Sequence, residues 1–313
     1  MKRALVFPGQ GSQIVGMGKS LFDQETSAKQ LFEEVNDALG LDLTKIMFEG
    51  PEDELKLTFN AQPALMAVSM AVVRTLEARG VMVSDVASYV AGHSLGEYSA
   101  LAAAGTFSVG DTARLLRLRG EAMQRAVPVG EGAMAALLGL DFEVAVEVAE
   151  LAADGQICSP ANDNAKGQVV VSGHKAAVER AMAIAKDKGA IKSVLLPVSA
   201  PFHCPLMQPA ADEMAEALAA VNMQDPAVPL IANVTADVVS DAATIRDLLV
   251  QQVTGSVRWR ESVCKMVELG VEQLVEVGSG KVLSGLARRI DRSLTVVNIQ
   301  DVDGAQAFSD SLK

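Results

Sequence analysis

The sequence predicts an α/β protein with a mostly parallel sheet, interrupted by a smaller βαββαβ unit. Three observations carry that expectation. Short apolar runs alternate with helical stretches along most of the 313 residues, the pattern of strands and crossover helices in a sheet covered on both faces. Between about 128 and 198 the rhythm changes to strand, helix, two strands, helix and strand, the order of a ferredoxin-like split-βαβ unit. The composition, 50% hydrophobic and 21% charged, suffices for a buried core and excludes disorder.

The elements follow in order. Residues 3–7 (RALVF) read as a buried strand that runs into a Pro8-Gly9 turn. Residues 63–79 read as a helix with Pro63 at its first position and Gly80 at its stop. Residues 86–91 (VASYVA) form a second strand, followed at once by Gly92-His93-Ser94-Leu95-Gly96 and a helix through Ala104. A further helix spans 108–126, with Asp111 as the capping-box partner of Ser108. Beyond the interruption, strands are expected at 228–232, 273–277 and 294–298, and helices at 205–221, 258–269 and 281–290. Inside it, strands fall at 133–139, 155–159, 168–172 and 191–196, with helices at 143–153 and 175–188. The turn between its middle strands holds Asn162, Asp163, Asn164 and Gly167. One unit therefore comprises 1–127 and 199–313, the other 128–198, and the cleft between them is the default ligand site.

Charge and cysteines narrow the function classes. With 27 Lys and Arg against 39 Asp and Glu, the net charge of −12 argues against a general nucleic-acid binder. Three cysteines, Cys158, Cys204 and Cys264, form no CxxC pair, which excludes a disulfide framework and a cysteine zinc site and favours a reducing cytoplasm. The run Ala4-Leu5-Val6-Phe7 is too short for a signal peptide. The longest uncharged runs, 57–73 and 193–211, carry Asn60, Gln62 and Pro63 or four prolines and His203, so neither spans a bilayer. A soluble cytosolic protein is expected.

Gly92-His93-Ser94-Leu95-Gly96 is a G-x-S-x-G between a strand and a helix. In a nucleophile elbow the serine sits on a strained turn and the next amide, here Leu95, points into an oxyanion site. The plainer reading is a glycine-rich helix start with Ser94 as its cap. A base must come from three histidines. His93 adjoins the serine, and its side chain should diverge toward a structural hydrogen bond. His174 opens a charged helix and should be solvated. His203 lies among Pro201 and Pro205, where regular structure is forbidden and the chain returns to the larger unit, so it is the candidate base; a backbone-satisfied core histidine is the alternative. The opening turn, Pro8-Gly9-Gln10-Gly11-Ser12-Gln13, lacks the third glycine of a dinucleotide fingerprint, since position 14 is Ile14, and fails as a P-loop at Gln13. Its free amides suit a second oxyanion donor at Gln10, or an ordinary tight turn. On the 108–126 helix, Arg119 has Leu115, Leu116, Ala122 and Met123 as neighbours, whereas Arg114 and Arg117 share a polar stripe with Asp111 and Glu121. Arg119 therefore faces inward and needs an anion, from the protein or from a substrate carboxylate.

Five ordered segments, Phe7-Pro8-Gly9-Gln10-Gly11-Ser12-Gln13, Gly92-His93-Ser94-Leu95-Gly96-Glu97, Leu118-Arg119-Gly120, Phe202-His203-Cys204 and Glu276-Val277-Gly278-Ser279-Gly280-Lys281, carry a resemblance. From residue 3 to about 300 the chain resembles malonyl-CoA:acyl-carrier-protein transacylases of bacterial type II fatty-acid synthesis and the related polyketide synthase acyltransferase domains. The resemblance implies an α/β-hydrolase-like core with a ferredoxin-like insert and a Ser94–His203 dyad whose histidine is oriented by a backbone carbonyl, at Gln252. It also implies oxyanion amides at Gln10 and Leu95, a substrate carboxylate on Arg119, and ping-pong malonyl transfer without metal or other cofactor. Phe202 and His93 then line the acyl pocket, with Phe202 crowding a 2-methyl branch. The implied partners are malonyl-CoA and an acidic acyl carrier protein, met by a monomer through a local cationic patch drawn from Lys192, Lys281, Arg288 and Arg289. A trans-acting polyketide acyltransferase, a serine thioesterase and a non-catalytic carrier-binding scaffold remain rivals. An inward guanidinium disfavours a thioesterase of neutral acyl groups, and a nucleophile, base and clamp together disfavour the scaffold.

Overall fold

A computed structural model describes residues 1–313. Strand β1 (Arg3–Phe7) opens the chain, and four helices follow: α1 (Lys19–Gln24), α2 (Thr26–Leu39), α3 (Leu43–Glu49) and α4 (Glu52–Lys56). The long α5 (Thr58–Ala78) and short α6 (Val83–Val86) lead to β2 (Tyr89–Gly92), α7 (Leu95–Ala103) and α8 (Val109–Ala126). Next come β3 (Gly132–Leu138), α9 (Phe142–Ala153), β4 (Cys158–Ala165), β5 (Gln168–His174), α10 (Lys175–Asp187) and β6 (Lys192–Leu195). After a 3-10 turn at Pro205–Met207, the chain completes α11 (Gln208–Ala220), β7 (Leu230–Ile231), β8 (Val238–Val239), α12 (Ala242–Thr254) and α13 (Trp259–Glu268). It closes with β9 (Gln273–Val277), α14 (Val282–Ile290), β10 (Thr295–Ile299) and α15 (Val302–Ser311).

Two sheets organise these elements. The first has the order β10-β9-β1-β2-β7-β8, parallel except for β8, which returns on β7 as a hairpin. Its central strand shows why RALVF forms a strand: Leu5 and Phe7 enter the core on one face, Ala4 and Val6 the core on the other. Period two and burial on both faces are the signature of a covered parallel sheet. The second sheet, β4-β5-β3-β6, is antiparallel throughout and packs its own apolar core against α9 and α10. Its strand order is that of a ferredoxin-like unit, as the βαββαβ rhythm implies. No helix is long and apolar enough to cross a membrane.

Four local expectations need correction. Pro63 does not begin its helix but lies inside α5, a turn past the start at Thr58. The missing Pro63 N–H would have bonded the Phe59 carbonyl, which instead accepts from Arg117 Nη1 at 3.4 Å. The strand expected at 86–91 begins only at Tyr89, because Val83–Val86 closes a short helical turn. Asn162, Asp163 and Asn164 belong to β4, and the hairpin turns at Lys166-Gly167, where Gly167 takes φ 73°. The polar run is strand because its outer edge bonds Val257: Asp163 N–H donates to the Val257 carbonyl at 3.0 Å, and Val257 N–H to that of Ala161 at 2.8 Å. His174 is half-buried rather than solvated, its Nδ1 accepting from Ile157 N–H at 2.9 Å.

Candidate active site

The parallel pairing of β1 with β2 sets Phe7 beside Gly92, so the turns leaving both strands face one cavity at the carboxyl end of the sheet. Ser94 takes φ 54° and ψ −110° at the head of α7, a conformation held only because its surroundings over-determine it. A Cβ on Gly92 would lie 1.9 Å from the Gly96 carbonyl carbon, and one on Gly96 2.2 Å from the Phe7 carbonyl oxygen. Both glycines are therefore demanded by the close approach of strand, turn and helix.

Ser94 Oγ lies 2.8 Å from His203 Nε2. His203 itself has φ 59°, in the irregular segment its flanking prolines enforce, and is 4% exposed. Its Nδ1 faces two carbonyls, Gln252 at 2.9 Å and Gly255 at 3.2 Å. Carbonyls only accept, so Nδ1 carries the proton and Nε2 presents a lone pair to the serine hydroxyl. Burial, and secondly the Arg119 guanidinium, hold this imidazole down to about 3, neutral at ordinary pH.

Arg119, 1% exposed, reaches the same serine from α8. Its Nη2 donates to Ser94 Oγ at 3.1 Å and to Gln252 Oε1 at 2.9 Å, and its Nη1 to Gln62 Oε1 at 2.7 Å. Every acceptor is neutral; no carboxylate touches the guanidinium, although it lies over the Tyr98 ring. Burial is the main influence on its pKa and lowers it, by disfavouring the charged form.

The amide donors complete the arrangement. Leu95 is the first residue of α7, so its N–H has no intrahelical acceptor. The Ser94 N–H is already taken by Asn233 Oδ1 at 2.8 Å. Gln10 lines the cavity from the turn after β1, its side-chain oxygen anchored by Thr58 Oγ1 at 2.9 Å. The cavity holds about 530 Å³ and opens between the two sheets' units, with Gln10, Ser94, Leu95 and Arg119 on one wall and Met134 and Leu196 on the other.

Phe202 and His93 also line this cavity. The His93 ring turns away from the serine, as expected, with Nε2 2.8 Å from Asn164 Oδ1 and the ring tilted on Trp259. Burial lowers the basicity of this imidazole too. Lys192, Lys281, Arg288 and Arg289 are exposed and none lines the cavity; Arg289 reaches the second sheet, donating to Gln168 Oε1 at 3.0 Å. Four participants escaped the motif reading: Gln62, Asn233, Asn164 and the Gly255 carbonyl. Gln62 left a signal, being a polar residue inside an apolar run; Asn233 and Gly255 act through folds of the chain that no local pattern encodes.

Along nearly its whole length the chain is similar to known proteins. Residues 4–301 match the acyl transferase domain family. The chain is 44% identical to the malonyl CoA-acyl carrier protein transacylase of Bacillus subtilis, over all of this chain and 98% of that one. It is 47% identical to that of Escherichia coli K12, over 93% of this chain and 94% of the other. An acyl-carrier-protein-S-malonyltransferase structure from Bartonella henselae superposes with a TM-score of 0.98 at 57% identity, covering 100% of this chain and 99% of that one. A malonyl-transacylase in complex with its type II PKS acyl-carrier protein superposes at 0.96 and 43% identity, covering 99% and 100%. With matches of this depth along its whole length, the chain belongs to the malonyl CoA-acyl carrier protein transacylase family of acyl transferase domains.

Proposed function

We propose that this acyltransferase moves a malonyl group from malonyl-CoA to the phosphopantetheine thiol of an acyl carrier protein, through an ester on Ser94. One observation carries the reading: a single hydroxyl is bonded at once to a neutral imidazole and to a buried guanidinium that no carboxylate has claimed. His203 accepts the Ser94 proton as the oxygen attacks the thioester carbonyl. The Leu95 and Gln10 amides receive the oxyanion, a donor of this kind being worth about 2.7–4 kcal/mol in a comparable site. His203 then returns the proton to the departing CoA sulfur, and the carrier thiol runs the same steps in reverse. Arg119 turns from the free serine to the malonyl carboxylate as a paired clamp. Phe202 crowds the carbon between the two carbonyls, which favours malonyl over methylmalonyl by the 1–3 kcal/mol or so that one methyl commands.

The reaction moves one acyl group and one proton, both handled by named side chains and amides, so we assign it no metal or other cofactor. Residues 1–127 and 199–313 would form the catalytic core, with 128–198 inserted as the far wall of the cleft. We place the enzyme in the cytoplasm as a monomer. It meets the acidic carrier through local cations, Lys192, Lys281, Arg288 and Arg289, that outvote the net charge of −12 within a Debye length of about 10 Å. The acceptor is a fatty-acid carrier in this reading; the polyketide complex among the similar structures favours the alternative acceptor.

The test is intact mass after mixing with malonyl-CoA. One malonyl group should appear on wild type, be absent from Ser94→Ala, persist without acceptor and vanish on adding holo carrier protein. Steady CoA release without acceptor would mean a thioesterase. Discharge rates onto the two kinds of carrier decide the acceptor.

A further inference from the structure

Glu97 is a carboxylate sealed beneath the reacting serine for which the proposed chemistry has no part. It sits in the first turn of α7, 1% exposed, and no cation touches it. Its Oε1 accepts from Asn233 N–H at 3.3 Å and its Oε2 from Gln252 Nε2 at 2.5 Å. The other end of that amide, Gln252 Oε1, accepts from Arg119 Nη2 at 2.9 Å. The carboxylate takes only the amide's donor and the guanidinium only its acceptor, so neither end can flip. Gln252 thus relays between two opposite buried charges, while its main-chain carbonyl holds His203.

Other titratable groups around Glu97 are few. Arg119, from α8, is the charged group that acts on it. Tyr98, beside it on α7, is pushed up to about 12 by burial, and the His93 and His203 imidazoles are held neutral. The neighbouring parts of α12 and the exit of β7 contribute only Gln252 and Asn233, which do not titrate.

We infer that Glu97 is a positioning residue for acyl selection: ionised, it holds Arg119 through the Gln252 amide as an internal counter-charge, and only with Glu97 protonated is Arg119 released to a malonyl carboxylate. The inference rests on the reading of Arg119 as the carboxylate clamp. One buried guanidinium shared by two anions leaves a net charge uncompensated, and protonating the buried Glu97 removes it. Burial holds the Glu97 carboxyl up to about 8, so the exchange lies within reach of ordinary pH. An acetyl group carries no charge and demands no such exchange.

The experiment is the ratio of kcat/KM for malonyl-CoA to that for acetyl-CoA, across about pH 6.5 to 9.5. The ratio cancels His203 and the thioester, which both substrates share, and isolates the clamp. In wild type it should fall roughly tenfold between pH 7 and pH 9, as the protonated fraction of a group titrating at about 8 falls. In Glu97→Gln, permanently neutral, it should be flat. A merely structural Glu97 would slow both substrates alike and leave the wild-type ratio level. A level ratio in wild type, with malonyl transfer intact, overturns the inference and leaves the proposed function standing. Absence of malonyl transfer at every pH strikes the function instead. Should Glu97→Gln fail to fold, the wild-type profile alone decides.

Discussion

Arg119 and His203 show how the same burial gives two residues opposite tasks. Arg119 keeps its charge because three neutral oxygens solvate it in place of water. Arg119→Ala strands those acceptors and removes the clamp. Breaking such a buried arrangement costs about 3–5 kcal/mol, so kcat/KM for malonyl-CoA should fall by between about two and three and a half decades. The acetyl-CoA value should fall less, since that substrate loses only the Arg119 bond to the free serine hydroxyl; equal losses would remove the clamp role. His203, by contrast, loses its charge. An imidazole must be neutral to accept a proton, and one held down to about 3 stays neutral through mild acid. Acylation measured between pH 7 and pH 5 should therefore be level. Stability should not be: below its ordinary value of about 6.5 the unfolded imidazole binds a proton that the folded one refuses. That stability is present above 6.5 and drains away as pH falls toward 3. A rate inflection near 6.5 would show a solvated imidazole instead.

Between elements, the clamp depends on how closely α5 and α8 approach. Gln62 meets Arg119 only because Gly120 lets the helices touch: a Cβ there would lie 2.4 Å from Phe59 Cα and 2.7 Å from its nitrogen. The obstacle is backbone, so Gly120→Ala must push the helices apart. Overpacking of this kind costs about 1–3 kcal/mol, seen as a lower Tm, and the malonyl-to-acetyl ratio should drop as the Gln62 bond stretches. Gly110→Ala on the same helix is the control, since its Cβ would meet nothing nearer than 3.5 Å and helix propensity favours alanine. Legibility at this scale follows the strength of the local signal. The α8 start could be read because Ser108 Oγ does accept from Asp111 N–H, at 3.0 Å, a contact local in sequence. The α5 start could not: the run from residue 57 is uncharged through residue 73 and has no polar stripe to give a 3.6-residue period its phase, and Pro63 reads as a beginning. Helices α1, α3 and α4 have five to seven residues, too few for periodicity to show. The elbow and the inward turn of Arg119 were legible because spacing alone dictates them.

Across the whole molecule the site depends on a seam between the second sheet and the first. Three consecutive residues of β4 make it. Asn162 pairs with Val257, Asp163 forms an ion pair with Arg260 at 2.8 Å, and Asn164 holds His93 beside the nucleophile. Asn-Asp-Asn reads as a turn by composition, and its true role is set by a single bridge to Val257, about ninety-five residues away in the chain. No motif encodes that. The weight of the seam falls on Asp163, whose side chain is 1% exposed while that of Arg260 is 29% exposed. Burial pushes the Asp163 carboxyl up, and Arg260 opposes it. Arg260→Ala removes the opposition and leaves a buried carboxylate without its cation. Because the lost partner is partly solvated, the cost should be about 1–3 kcal/mol, less than for a sealed pair. The sign with pH is fixed. A carboxyl whose folded value lies above its unfolded one favours folding at low pH, and that favour is lost as pH rises through the folded value. The Tm deficit of Arg260→Ala should therefore be widest at neutral pH and shrink on acidification toward pH 4. Amide exchange in β4 should quicken with it, and the malonyl ester on Ser94 should hydrolyse faster as the far wall of the cleft loosens. A deficit independent of pH, with β4 exchange unchanged, would place the seam's strength in its backbone bonds alone.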